Sequence, residues 1–159
     1  MNRIKSFEIN HKLLVPGFYL SRVDGDVETF DIRIFQPNKG DYMTTGGAHA
    51  LEHILATLLR NKCPDNVIYV GPMGCRTGFY CLFRGLSHEE IFFLLKDAFN
   101  TVVYWNEDIP GASEEECGNY LDMDLLDARQ YGYLAWNLFN KSFKEEDLKY
   151  PEEKDGGIS

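Results

Sequence analysis

No apolar run in the 159-residue chain approaches the ~18 residues that a membrane span requires. Met1-Asn2-Arg3-Ile4-Lys5-Ser6 likewise leads into no signal-like apolar core. The expected location is therefore the cytoplasm, with no membrane partner. Basic residues are scarce too: 16 Lys and Arg stand against 25 Asp and Glu, a net charge of −9. A phosphate backbone asks for a basic surface, so this balance argues against nucleic acid as a partner. Much of the acidity lies in Glu114-Glu115-Glu116 and between Lys144 and Asp155, where it reads as solvated surface. Internal repeats and interdomain linkers are missing. Histidine is rare, with four residues, which gives weight to any two that fall together. The four cysteines (Cys63, Cys75, Cys81, Cys117) would be disulfide candidates in a secreted chain. In a reducing cytosol, metal binding or catalysis is the better expectation for some of them.

What is present is an ordinary globular composition, 44% hydrophobic and 26% charged, at a length that suits one domain. We expect that domain to span residues 1–150, with 151–159 a flexible tail rich in Pro, Glu, Lys, Asp and Gly. Ser6 to Lys12 reads as an extended N-terminal segment. Tyr19 to Val23 and Thr29 to Phe35 read as strands joined by Asp24-Gly25-Asp26. In the second, Phe30, Ile32 and Ile34 alternate with Asp31, Arg33 and Phe35, the period of a half-buried strand. Gly46-Gly47 opens a helix to about Asn61 whose apolar face carries Leu51, Leu55 and Leu58. Val67 to Val70 and Gly78 to Arg84 are two further strands. Ser87 with Glu90 forms a capping box before a helix reaching about Trp105, and Ser113 with Glu116 repeats that pattern ahead of Cys117. His88, in the first of these turns, is expected to be solvated. The last helix, Asp124 to Phe139, is expected to pack Leu125, Leu126, Ala128, Leu134 and Trp136, and Asp122, Asp124 and Asp127 suit helix capping. Short hairpins mixed with helices indicate α+β, a two-layer fold with an antiparallel sheet against helices.

His49-Ala50-Leu51-Glu52-His53 carries the strongest chemical signal. Residues four apart share a helix face, so His49 and His53 can grip one ion. Glu52 follows His49 by three positions and projects to the same side, the H-x-x-E-H spacing in which a glutamate serves as acid or base. Two imidazoles need a third ligand, and by spacing alone Cys75, Cys81 and Cys117 rank about equal. Cys75 lies in a glycine-bounded turn where Arg76 beside it could favour the thiolate. Cys63 and Cys81 read better as packing residues than as ligands.

Several of these stretches recur together in a known family. Ser6-Phe7 with His11, then Phe30-Asp31-Ile32-Arg33 with Pro37-Asn38, His49-x-Leu51-Glu52-His53, Pro72-Met73-Gly74-Cys75-x-Thr77-Gly78 and Cys117-Gly118 resemble the S-ribosylhomocysteine lyase (LuxS) family, over about residues 6 to 128. The resemblance implies the LuxS, metallohydrolase-like fold. It implies one divalent metal per subunit on His49, His53 and Cys117, natively Fe(II), with Zn or Co able to substitute. It implies proton transfer by Glu52 and Cys75, the sugar end of the substrate beside Ser6, His11 and Arg33, and Arg60 near the bound substrate. A homodimer with active sites at the subunit interface is implied as well. The implied reaction turns S-ribosylhomocysteine into homocysteine and dihydroxypentanedione, a quorum-sensing precursor. It proceeds by carbonyl migration through enediolates and β-elimination.

The chain departs from the family pattern at Tyr69, where an acidic residue is common, at Gly71, where a serine is common, and at Met123, often a histidine. The first two positions lie where the homocysteine end would bind. An inverzincin-type metallopeptidase shares the H-x-x-E-H helix but completes its site with a distal glutamate on a much longer chain. A non-catalytic metal-binding domain would close its site with four protein ligands.

Overall fold

A computed structural model describes residues 1–152 of the chain. Four strands, β1 (Gly17–Asp24), β2 (Val27–Arg33), β3 (Val67–Pro72) and β4 (Gly78–Arg84), form one antiparallel sheet in the order β1-β2-β4-β3. Of the longer helices among the described residues, α2 (Thr45–Lys62) lies between β2 and β3, while α3 (His88–Val103) and α4 (Leu125–Leu138) follow β4, in an α+β arrangement. Phe18, Phe30, Ile32, Phe79, Cys81 and Phe83 of the strands share one core with Leu51, Ile54, Leu55, Ile91, Leu95 and Phe99 of the helices. Burial pushes the Cys81 thiol pKa up, as suits a packing residue.

The local signals explain the helix boundaries. Thr44 caps α2, its hydroxyl accepting from the Gly47 amide. A Cβ at Gly47 would lie 2.5 Å from the Tyr131 ring and 2.7 Å from Asp127 Cβ, so glycine there lets α4 close on the start of α2. Ser87 and Glu90 complete the capping box of α3. Asp124 caps α4, Asp127 accepts from the Thr44 hydroxyl at 2.7 Å, and Asp122 accepts from Thr45 at 3.3 Å.

Several expectations need correction. The N-terminal segment contains a one-turn helix, α1 (Lys5–Glu8), overlapping the start of the Ser6 to Lys12 stretch expected to be extended. β2 is not half-buried: Asp31 and Arg33, on the face opposite Phe30 and Ile32, are as buried as the core because they pair with each other. Leu126 and Leu134 of α4 are 67% and 37% exposed, and the helix instead buries Ala128, Tyr131, Gly132 and Ala135. Small residues on that stripe let α4 approach α3 closely; a Cβ at Gly132 would lie 2.6 Å from Val102. The Ser113–Glu116 pattern starts no helix. It closes a single turn, with the Cys117 amide on the Ser113 carbonyl at 3.0 Å, before the chain runs on through Gly118. His88 is not solvated: it stands between Glu28 and Glu145 at 2.5 Å from each, edge-on to Phe30. Of the expected tail, Pro151 and Glu152 are described and 153–159 lie outside the described residues.

No helix among the described residues is long and apolar enough to cross a membrane.

Candidate metal centre and thiol site

α2 buries Ala50, Leu51, Ile54 and Leu55, which leaves His49, Glu52 and His53 on a half-exposed flank. The two imidazoles meet edge to face, ring centres 4.8 Å apart. Their Nδ1 atoms are already committed, that of His49 to the Asp122 carbonyl at 2.9 Å and that of His53 to the Pro110 carbonyl at 2.8 Å. A carbonyl only accepts, so each Nδ1 carries the proton and each Nε2 keeps its lone pair for an ion. Gly111, at φ +72°, lets the loop press on the His53 ring; a Cβ there would lie 3.0 Å from Nδ1.

Cys117 reaches the same place from that loop region, with Sγ 3.4 Å from His49 Nε2. The three ligand atoms lie within 4.8 Å of one another, and this is the cluster of metal-holding type found among the described residues. Bonds of about 2.0–2.1 Å to nitrogen and 2.3 Å to sulfur would set tetrahedral neighbours roughly 3.5 Å apart, so the donors fit one small divalent cation with a position left open. The third donor of the cluster, which spacing left undecided, is the Cys117 thiol from a turn 64 residues on, and no glutamate joins the cluster among the described residues.

Cys75 occupies a different site. It sits in the β3–β4 turn with Sγ 3.1 Å from the Thr77 hydroxyl and 3.8 Å from Arg33 Nη1. Partial burial raises its pKa, but hydrogen bonds from Thr77 and from backbone amides, together with the Arg33 charge, outweigh it; the net shift is downward. Arg76 takes no part in this, as its guanidinium turns to the Met43 carbonyl and stacks 4.7 Å above the Tyr42 ring. Sequence adjacency misled here because the chain reverses at Arg76, which has φ 61°.

Arg33 is fully buried and its guanidinium is held on two sides. Nε and Nη2 donate to Asp31 at 3.2 and 2.7 Å, while Nη1 donates to Thr77 at 2.8 Å. Such a two-pronged pair fixes the plane of the fork. Asp31 also accepts from the Tyr150 hydroxyl at 2.7 Å. In the sequence, Asp31 and Thr77 stood out only as motif residues without a role, and Tyr150 did not stand out at all. Asp31 sits two residues from Arg33, and that strand spacing is the one signal that could have found it.

His11 donates from Nδ1 to the Ile9 carbonyl at 2.9 Å and lines a cleft of about 470 Å³ with Cys75, Thr77, Asn38 and Tyr42. Ser6 lies instead in a smaller recess of about 200 Å³ with Ser21, Thr29 and Tyr80. Arg60 is engaged elsewhere: it donates to the Val67 and Ile68 carbonyls at 3.3 and 2.9 Å, two helical turns beyond His53. The departures at Tyr69 and Gly71 are coupled, because a Cβ at Gly71 would fall 2.0 Å from the Tyr69 hydroxyl. The tyrosine folds over the space a side chain at 71 would fill. The structure thus brings together His49, His53 and Cys117, with Glu52 next to them on the same flank of α2, and separately gathers His11, Arg33, Cys75 and Thr77. By strand alternation Arg33 lies on the sheet face opposite Phe30 and Ile32, and Cys75 and Thr77 stand beside its guanidinium.

A family model described as LuxS: S-Ribosylhomocysteinase (LuxS) matches residues 4–146. The S-ribosylhomocysteine lyase of Finegoldia magna is 48% identical over 157 residues, covering 96% of this chain and 100% of the relative. The proteins of the same name from Clostridium beijerinckii and Borrelia garinii are 45% and 42% identical, each over 95% of this chain and 99% and 100% of their own length. On a family model that covers most of its length and relatives 42–48% identical over their whole length, the chain belongs to the LuxS family of S-ribosylhomocysteinases.

Proposed function

We propose that the protein is a cytoplasmic S-ribosylhomocysteine lyase, a carbon–sulfur lyase releasing homocysteine and dihydroxypentanedione, the precursor of a quorum-sensing signal. The observation that carries the reading is the pairing of an open His49–His53–Cys117 metal cluster with a thiol, Cys75, whose pKa is drawn down. Family membership supplies the substrate.

The thioether bond at C5 of the sugar is not activated in the substrate. Two carbonyl shifts, from C1 to C2 and then to C3, each remove a proton from one carbon and return one to its neighbour. With the ketone at C3, loss of the C4 proton expels homocysteine thiolate from C5. No net oxidation occurs. A bound divalent ion, Fe(II) in this reading with Zn or Co able to replace it, supplies a Lewis acid for negative charge developing on the sugar oxygens. His49, His53 and Cys117 would hold it. Glu52 and Cys75 exchange the protons with carbon; a thiol serves because Thr77 and Arg33 favour its thiolate. His11, beside Cys75, and Ser6 take the sugar end, and Arg33 acts from beside the thiol. Arg60, bound to the Val67 and Ile68 carbonyls, ties α2 to β3 and stands behind the site as a support.

The metal cluster stands on a flank of α2, whereas the thiol sits in the β3–β4 turn beside Arg33, whose side chain lies on the face opposite Phe30 and Ile32. We infer a two-fold homodimer in which the metal half of one subunit faces the thiol half of the other. A chain of this length has little depth with which to enclose a sugar–amino-acid conjugate alone. The activity is tested by thiol release from S-ribosylhomocysteine, followed with a thiol reagent. Metal-loaded protein should release one thiol per substrate, and chelation should abolish release until the metal is restored. Metal-loaded protein that releases no thiol would refute the reading.

A further inference from the structure

Tyr150 lies beyond every motif of the family resemblance, yet it joins the network behind the thiol. The C-terminal stretch reaches it through a 3₁₀ turn (Glu145–Leu148) that buries Leu148 and places Glu145 on His88. The Tyr150 ring then stacks on Tyr19, centroids 4.9 Å apart and planes 26° apart. Its hydroxyl donates to Asp31 Oδ2 at 2.7 Å, the same oxygen that accepts from Arg33 Nη2. Burial, with Asp31 nearby, raises the pKa of Tyr150, so the hydroxyl remains a donor.

We propose that Tyr150 is a positioning residue: by sharing Asp31 with Arg33, its hydroxyl sets how much of the Arg33 charge reaches the Cys75 thiol. Asp31 is a fully buried carboxylate with two claims on it. A second donor spreads its charge, so Arg33 is neutralised less completely and its free edge, Nη1, stays electropositive towards Thr77 and Cys75. Without the hydroxyl, Asp31 draws the guanidinium more strongly and the thiolate loses part of its stabilisation. The other ionisable groups turned towards Asp31 are Tyr19 and Tyr80, both held protonated: burial and Asp31 push the first up to about 12 and raise the second. The Tyr19 hydroxyl is spent on the Val15 carbonyl at 2.8 Å, which leaves Tyr150 as the tyrosine hydrogen-bonded to Asp31 among the described residues.

The inference rests on the reading of Cys75 as an activated thiol, and its test separates the two. Alkylation of Cys75 is measured against pH on the metal-loaded protein, with the modified peptide quantified by mass spectrometry. Tyr150→Phe keeps the stacked ring and removes only the hydroxyl. We expect its alkylation at neutral pH to be about threefold slower or more, the profile displaced to higher pH, with metal content unchanged and kcat falling more than KM. Tyr19→Phe, which removes the neighbouring hydroxyl of the same stack, should leave the Cys75 profile in place. An unmoved profile in Tyr150→Phe, or an equal displacement in Tyr19→Phe, would overturn the proposal. A displaced profile with kcat unchanged would uphold the positioning role and instead remove Cys75 from the rate-determining chemistry.

Discussion

Replacing Gly111 with alanine should loosen the metal without touching a ligand. Gly111 has φ +72°, where an L side chain costs roughly 1–2 kcal/mol. The new Cβ would also lie 3.0 Å from His53 Nδ1 and 3.4 Å from Cε1, against the ring edge that donates to the Pro110 carbonyl. Either the ring turns or the loop retreats, and the 2.8 Å bond that fixes the tautomer suffers in both cases. Losing such an orienting partner typically weakens metal binding by about 10–100-fold, or ~1.4–2.7 kcal/mol. Gly25 provides the matched control: its φ is +61°, but a Cβ there meets nothing within 4 Å. Gly25→Ala should lose similar stability in urea and keep its metal. Zinc affinity would be read by competition with a coloured chelator for both variants and the wild type. Unchanged affinity in Gly111→Ala, or an equal loss in Gly25→Ala, would refute the idea that the loop carbonyl orients His53.

Two further predictions concern paired charges. Partial burial lowers the His88 pKa, but hydrogen bonds to Glu28 and Glu145 more than compensate and the net shift is upward. A raised folded-state pKa gives stability that is full below the unfolded value, about 6.5, and fades as pH climbs through the folded value. Urea midpoints should therefore fall over that window in the wild type and stay flatter in His88→Gln; parallel curves would exclude the clasp. Arg33→Met leaves Asp31 buried without its partner, which should cost about 3–5 kcal/mol, and adding Asp31→Leu should recover much of it. Urea unfolding of the single and double variants measures both, and a double variant no more stable than the single would contradict the pairing argument.

The histidine pair was legible in the sequence because two ligands one helical turn apart leave a periodic trace. So were the capping box of α3 and the alternation in β2, which are local patterns with local causes. Cys117 was legible only through the family resemblance, since nothing in a loop cysteine 64 residues away records its neighbour. Arg76 attracted attention by adjacency, whereas the cation beside Cys75 is Arg33, 42 residues earlier and across the sheet. Asp31 looked solvent-facing because alternation marks one face as apolar and cannot show that an ion pair and the C-terminal stretch cover the other. His88 and Tyr150 were hidden for the same reason: each takes its role from a partner more than fifty residues away. Leu126 and Leu134 misled in the opposite sense, because α4 meets α2 and α3 through its small residues.

The most direct test of the composite catalytic site is thiol release from S-ribosylhomocysteine by mixed dimers. His49→Ala removes a metal ligand and Cys75→Ala removes the thiol, so each variant alone should be nearly inactive. After unfolding and refolding together with metal, random pairing gives one intact site in about half of the dimers, or roughly a quarter of wild-type activity. Recovery near that level would place Cys75 and the metal on opposite sides of the subunit seam. Sedimentation as dimers with no recovered thiol release would contradict the shared site and confine both groups to one chain.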